Sequence, residues 1–370
     1  MLDSKKVEAL FLRSIQLARK GWGNTHPNPM VGALIFENGE VVAEGYHAGA
    51  GKPHAEVEAF SNLNRKPRAD AIMFVSMEPC STHGRTPPCV DAIINSGIKN
   101  IYLCALDPNP SHSGAGVDKL RDAGVSVHLA PMGIESQAVR LNFIFNQNME
   151  NNSPMIALKA AETENGMVAE NQGAPSQITE AEARVDMMHW RRLFPAICIG
   201  AGTLIADNPF LTVRIPNEVV WCPVRLVVDS RLNGFSRNVS DRNIYTDAFS
   251  ERTIVLTTDT GLRSSYSVDR AKELGIRLLK VDSDTNGRAM PNALRSALLE
   301  LELNGVYCEG GPTFAQSLLS AGQVDYVFRY KSKKVFDGLN ALPGPFTSGI
   351  KIHEPIETNL GNDQLVHGFL

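Results

Sequence analysis

Three residues of metal-ligand type, His54, Cys80 and Cys89, each lie beside a different predicted element. His54-Ala55-Glu56 opens a helix expected over about 54–64, and Glu78-Pro79-Cys80 follows a strand expected over 71–76. Cys89 directly precedes a helix expected over 90–96. For one ion to meet all three, two helix starts and a strand end must converge on one point. A layered α/β fold does this, because its strands end beside the helices that follow them.

The remainder of the first 150 residues agrees. Val7, Leu10, Phe11, Ser14, Ile15 and Ala18 keep helical spacing, giving a helix over about 3–20 that stops at Gly21. Thr25-His26-Pro27-Asn28-Pro29 reads as a loop, since two prolines two positions apart exclude both helix and sheet interior. Asn38-Gly39 between apolar runs reads as a tight hairpin turn. A strand over 100–106, a helix over 115–123 and a strand over 125–128 complete a three-layer α/β/α sandwich around a mixed sheet.

The polar run Asn146 to Pro154 reads as a linker, and beyond it strands and helices alternate again. Strands are expected near 155–161, 196–200, 224–228, 253–257, 277–281, 305–308 and 325–330, with helices near 180–193, 292–302 and 314–321. The chain of 370 residues is longer than a single core usually supports, and no repeat relates its halves. The expectation is therefore two different domains, 1–150 and 153–370.

Composition narrows the function. A 43% hydrophobic, 21% charged chain without a long apolar window, whose N-terminus mixes charged with apolar residues, is expected to be cytoplasmic and without a membrane partner. A net charge of −4 argues against a nucleic-acid partner, which calls for clustered Lys and Arg, but leaves room for a small anionic substrate. Nothing excludes a homo-oligomer. Six cysteines scattered through a long chain do not make a disulfide framework. Cys104, Cys198, Cys222 and Cys308 sit in apolar strand-like stretches and read as small core residues.

Cys80 and Cys89 read differently. One imidazole and two thiolates leave the fourth tetrahedral position of Zn²⁺ to water, whose pKa the metal lowers. Glu56, two residues from a ligand, can take a proton from that water and return it to a leaving amine. H-x-E followed by P-C and a second Cys is the signature of the zinc nucleobase deaminases. The plainer alternative, a capping histidine with two cysteines nearby, leaves the acid and the helix-start context to coincidence. Eight residues separate the cysteines, where cytidine-type enzymes commonly have two, and the loop carries Arg85, either a bidentate phosphate ligand or a solvated charge. His26, His47 and His83 read equally as pocket or surface residues. His189-Trp190-Arg191-Arg192, at a helix end, reads as structural, its cations complementing the helix dipole.

The runs HPNPMVGALI, HAEVEA, EPCSTHGRTPPC and DPNP resemble the bifunctional deaminase/reductase family of riboflavin biosynthesis. The resemblance implies a cytidine-deaminase-like first domain that removes an amine from a phosphoribosylamino-diaminopyrimidine. It also implies a dihydrofolate-reductase-like α/β second domain that reduces the ribosyl group to ribityl with NADPH. By resemblance, His54, Cys80 and Cys89 hold zinc, Glu56 shuttles protons, Asn28 holds the pyrimidine and Arg85 the substrate phosphate. In the second domain the resemblance places Ala161, Thr203, Asp207, Ser230 and Gly311 on NADPH and Leu211, Arg214 and Glu309 on the substrate. Gly310-Gly311, between a strand and a helix, would expose backbone N–H groups to a cofactor phosphate.

The chain departs from the family pattern at several points. The family often has His where Thr82 stands, and Ser and Trp where Pro175 and Gln177 stand; its apolar Ala-Pro-Lys segment has become Lys331-Ser332-Lys333-Lys334. These departures support a second reading, a deaminase joined to a degenerate reductase-like domain. A nucleic-acid base deaminase is a third reading, opposed by 7% aromatics and the acidic balance. A non-enzymatic zinc module is a fourth, and it leaves Glu56 without a task.

Overall fold

The structure, a computed structural model, describes residues 3–83, 87–171, 176–346 and 349–370. It divides into two units, Met1–Ser153 and Pro154–Leu370.

In the first unit, α1 (Ser4–Ala18) begins at Asp3, whose carboxylate accepts the Lys6 N–H at 2.8 Å. The antiparallel hairpin β1 (Gly32–Glu37) and β2 (Glu40–Tyr46) turns at Asn38 and Gly39, both with positive φ. Then come α2 (Ala55–Leu63), β3 (Ile72–Val75), α3 (Cys89–Ser96), β4 (Asn100–Leu103), α4 (Ala115–Asp122), β5 (Ser126–Leu129), α5 (Met132–Leu141) and α6 (Phe143–Asn151). The sheet order is β2-β1-β3-β4-β5; β3 runs antiparallel to β1, and β4 and β5 follow parallel to β3.

Alternation along the strands separates two faces. Ala33, Ile35, Met73, Val75, Ile101 and Leu103 pack with Ala55, Ala59, Leu63, Val90, Ile93, Val117 and Leu120 of α2, α3 and α4. On the other face, Phe11 of α1 meets Phe74 edge-on at 5.4 Å, and Phe74 stacks on Tyr102 at 4.6 Å. A Cβ on Gly45 would lie 2.3 Å from the Ala55 carbonyl oxygen, so this glycine lets α2, and His54 before it, press against β2.

The second unit is built on a nine-stranded sheet. Its elements are β6 (Met155–Glu162), β7 (Met167–Ala169), α7 (Ala181–Leu193), β8 (Ala196–Gly200), α8 (Ala201–Asp207), β9 (Val224–Val228), α9 (Asn243–Thr246), β10 (Thr253–Thr257), α10 (Asp259–Leu262), α11 (Ser265–Glu273), β11 (Arg277–Lys280), α12 (Ala293–Glu300), β12 (Gly305–Cys308), α13 (Pro312–Ser320), β13 (Tyr326–Lys331), β14 (Leu342–Pro343), β15 (His353–Leu360) and β16 (Asp363–Phe369). The order β11-β10-β9-β8-β12-β6-β13-β16-β15 is parallel through β13, and the final hairpin adds two antiparallel strands. β7 and β14 form a separate small pair. One sheet face buries Cys198, Leu226, Val306 and Cys308 under α12 and α13; the other buries Ile197, Ile199, Val227 and Val255.

The expected fold class stands in both units. The boundary between the units falls within the expected linker, but most of Asn146 to Pro154 is helical, belonging to α6, which ends at Asn151 with Asn152 capping it in the left-handed conformation. Phe143, Ile144 and Asn146 are buried, so packing of one face holds a helix that its polar residues alone would not suggest. The last hairpin and α11 were not expected either. β15 is a largely exposed edge strand whose residues show no alternation, so tertiary pairing with β16 makes it a strand. The four remaining cysteines are buried free thiols, as expected.

Candidate active sites

His54 is the residue preceding α2, Cys80 lies in the loop after β3, and Cys89 is the first residue of α3. Their ligand atoms all lie within 4.8 Å of one another. Nδ1 of His54 is 3.6 Å from the Cys80 sulfur and 3.3 Å from the Cys89 sulfur, and the Cys89 N–H points at the Cys80 sulfur at 3.3 Å. This last bond, at the start of α3, favours thiolate at Cys80. The Cys80 thiol is pulled down to about 4, chiefly by hydrogen bonding with Cys89, then by His54, against the opposing effect of burial. Cys89 is pushed up, because it donates to Cys80 and is itself buried. One imidazole and two sulfurs in this arrangement fit zinc.

Glu56, 3% exposed, lies on the first turn of α2. Burial raises its carboxyl to about 7. A carboxyl poised there can both take and give a proton near neutral pH. Asn28, half-buried in its loop, directs its Nδ2 at Nε2 of His47, 3.1 Å away. His47, read from the sequence as pocket or surface, is 2% exposed, and its Nδ1 contacts the Pro53 carbonyl at 3.0 Å. Its ring meets the His54 ring edge-on at 5.3 Å. Burial holds the His47 imidazole below its usual pKa. His83 is exposed, and Arg85 lies outside the described residues.

Sequence reasoning gave no task to Glu78. It is 6% exposed, and its carboxylate accepts backbone N–H groups from Asp107 (3.0 Å), Gly114 (3.0 Å), Gly116 (2.8 Å) and Val117 (3.2 Å). These bonds tie the Pro79-Cys80 turn to the Asp107–Pro110 loop and the start of α4. An acid between a buried strand and the first ligand cysteine was the available signal.

In the second unit Ala161, Thr203, Ser230, Glu309 and Gly311 lie at or just beyond the C-terminal ends of parallel strands, where open α/β sheets bind ligands. Ala161 lies near the end of β6, Thr203 and Asp207 on α8 after β8, Ser230 after β9, and Glu309 and Gly311 after β12. The Gly311 N–H donates to the Thr203 hydroxyl at 2.8 Å, so this amide is not free to meet a phosphate as the sequence had suggested. The Ser230 hydroxyl accepts the Ala289 N–H at 2.8 Å. The hydroxyls of Thr203 and Ser230, each accepting one backbone N–H, keep their own hydrogens to donate to a ligand, and Gly311 adds no side chain that would crowd it.

Leu211 has φ 55° and is 4% exposed, its side chain packed in the core. Arg214 is exposed, donates to the Thr212 hydroxyl at 2.9 Å and lies over the Phe210 ring. Glu309 is gripped by both arms of Arg191, at 2.9 and 3.0 Å, with Lys159 3.9 Å away. Burial would raise the Glu309 carboxyl, but the Arg191 and Lys159 charges outweigh it and hold it below the ordinary range. Arg191 is 8% exposed and also donates to the Thr212 carbonyl at 2.7 Å. The reading of this arginine as a dipole-complementing helix cation is thus corrected: it is an ion-pair partner of a predicted site residue. Gln177, where the family carries Trp, offers its carbonyl to Lys334 at 2.7 Å, and Pro175 lies outside the described residues.

Comparison with known proteins covers both units. The cytidine and deoxycytidylate deaminase zinc-binding region matches residues 4–105, and the RibD C-terminal domain matches residues 154–335. The chain is 37% identical to riboflavin biosynthesis protein RibD of Aquifex aeolicus, over 95% of each chain. It is 34% identical to that of Escherichia coli, over 91% of each. Among solved structures, Acinetobacter baumannii RibD superposes with a TM-score of 0.80 at 27% identity, covering 100% of this chain and 99% of the other. A Thermotoga maritima diaminohydroxyphosphoribosylaminopyrimidine deaminase/5-amino-6-(5-phosphoribosylamino)uracil reductase does so with 0.78 at 31% identity, covering 97% of each.

Proposed function

Because the chain belongs to the RibD family of bifunctional deaminase/reductases of riboflavin biosynthesis, we propose that each of its activities is carried by the side chains gathered in one unit. The enzyme removes an amine from 2,5-diamino-6-(5-phosphoribosylamino)pyrimidin-4-one and then reduces the ribosyl group to ribityl. Zn²⁺ and NADPH are its cofactors. The single observation that carries the first half is the cluster of His54, Cys80 and Cys89 with Glu56 buried beside it.

In this reading His54, Cys80 and Cys89 hold zinc, which when bound supplies Lewis-acid activation of a water molecule. Glu56 takes the proton released as water attacks the amidine carbon and delivers it to the departing amine, so that ammonia leaves and a carbonyl remains. Asn28 orients the pyrimidine, and Arg85 pairs with its phosphate. In the second unit Ala161, Thr203, Asp207, Ser230 and Gly311 seat NADPH. Leu211, Arg214 and Glu309 border the substrate, with Arg214 suited to the phosphate. Reduction places a hydride on C1′ of the ribosyl group and a proton on its ring oxygen. A charged Glu309, fixed by Arg191, gives that pocket a defined acceptor. The domains are taken as 1–150 and 153–370. The buried free thiols fit a reducing compartment such as the cytoplasm, and no described helix is long and apolar enough to cross a membrane.

The test is to follow ammonia release and NADPH absorbance together after adding the diaminopyrimidine ribosyl phosphate to zinc-loaded protein. Both signals are expected, ammonia first. Ammonia without NADPH loss would reduce the second unit to a remnant, the reading that Pro175 and Gln177 favour. Neither signal from metal-loaded protein would overturn the substrate.

A further inference from the structure

His47 joins the loop that carries Asn28 to the segment that carries His54, and the chemistry of its two contacts fixes its protonation pattern. The Pro53 carbonyl can only accept, so the Nδ1 that meets it at 3.0 Å carries the hydrogen. In the neutral ring Nε2 is then a bare acceptor, and it faces Nδ2 of Asn28 at 3.1 Å. The carboxamide therefore cannot be turned end for end without setting two acceptors against each other. Asn28 points its amide nitrogen at His47, and among the described residues its Oδ1 accepts no hydrogen bond.

We propose that His47 is a positioning residue that, held as the Nδ1–H tautomer by Pro53, orients Asn28 so that its Oδ1 acceptor faces the N–H donors of the pyrimidine amidine. This rests on the reading that Asn28 contacts the pyrimidine. The consequence is selectivity for one side of the reaction. The substrate presents an exocyclic amine and a neighbouring ring N–H, both donors that Oδ1 can accept. The product carries a carbonyl where the amine stood, and this would oppose Oδ1 and favour release. Because Pro53 immediately precedes His54, the same imidazole also keeps the amide contact in register with the metal cluster.

The test uses the zinc-loaded full chain and ammonia release from the diaminopyrimidine ribosyl phosphate. His47→Leu is expected to raise KM about tenfold, the worth of one hydrogen bond, with zinc content unchanged and the loss in KM exceeding that in kcat. His47→Gln, which carries a donor and an acceptor on one amide, is expected to recover most of that loss. Asn28→Ala should raise KM similarly, and His47→Leu added to it should cost nothing more. Additive losses would overturn the proposal, whereas an unchanged KM in Asn28→Ala would overturn the reading of Asn28 on which it rests. Should His47→Leu lose its zinc, the ¹⁵N spectrum of the wild-type imidazole decides: an Nδ1–H signal is expected, and an Nε2–H signal would overturn the proposal.

Discussion

One carboxylate oxygen of Glu78 accepts the Gly116 N–H at 2.8 Å, and a Cβ on Gly116 would lie 2.4 Å from the Pro79 carbonyl oxygen. The chain that delivers Cys80 is therefore clamped onto the start of α4 at a point where only glycine fits. Glu78→Ala should destabilise the deaminase unit by more than about 3 kcal/mol, since a hydrogen bond to a charged acceptor is worth ~1.5–3 kcal/mol and several are lost together. Glu78→Gln, which keeps one acceptor oxygen, should lose less, and Gly116→Ala should weaken zinc retention. Denaturant unfolding and metal content after dialysis measure both.

Glu56→Gln should leave zinc bound and the fold intact but reduce ammonia release by about 10²–10⁴-fold, the usual contribution of a positioned acid–base group. NADPH oxidation should stall with the deaminase substrate and resume when the deaminated product is supplied. Resumption locates the defect in the first unit alone.

Arg191→Leu leaves Glu309 without its bidentate partner in a site where its side chain is 13% exposed. The expected loss is about 3–5 kcal/mol in the reductase unit, as for other broken buried pairs, with partial recovery in Arg191→Leu/Glu309→Gln, where the carboxylate is no longer stranded and only Lys159 loses its counter-ion. Stability of the two variants by chemical denaturation gives the comparison.

The lowered carboxyl of Glu309 also fixes a pH dependence. Unfolded, this group titrates near pH ~4.3; folded, it titrates lower, so its contribution is present above the unfolded value and lost as pH falls through the folded one. Acidification below about pH 4 should therefore weaken the wild-type unit more steeply than Glu309→Gln. Unfolding midpoints across that range, compared between the two, measure the difference.

Arg225 is wholly buried and donates to Asp247, the Thr253 hydroxyl and the carbonyls of Phe210, Ile244 and Phe249. Arg225→Lys keeps the charge but not the planar fork. It should cost about 3 kcal/mol and, by freeing the Phe210 carbonyl beside Leu211 and Arg214, raise KM for the reductase substrate. NADPH oxidation at varied substrate concentration reads that change.

The sequence by itself determined the parts whose chemistry is local. His54, Glu56, Cys80 and Cys89 announce themselves because a metal demands particular ligand types at element ends, and strand–helix alternation announces the layers because each element must bury one face. What only the tertiary structure decided depends on partners far away in the chain. Arg191 looked like a helix-end cation until Glu309 was brought to it from 118 positions away. His47 acquired a defined tautomer only when Asn28 and Pro53 met its two ring nitrogens. Arg225, a charge near the start of a predicted strand, gained its meaning from acceptors on loops that propensity does not place. The polar residues of α6 and the exposed strand β15 took their conformations from the surfaces they joined. Local pattern sets which residue types can form a site, but burial and pairing free energies are non-local, so they become readable only when the chain has folded.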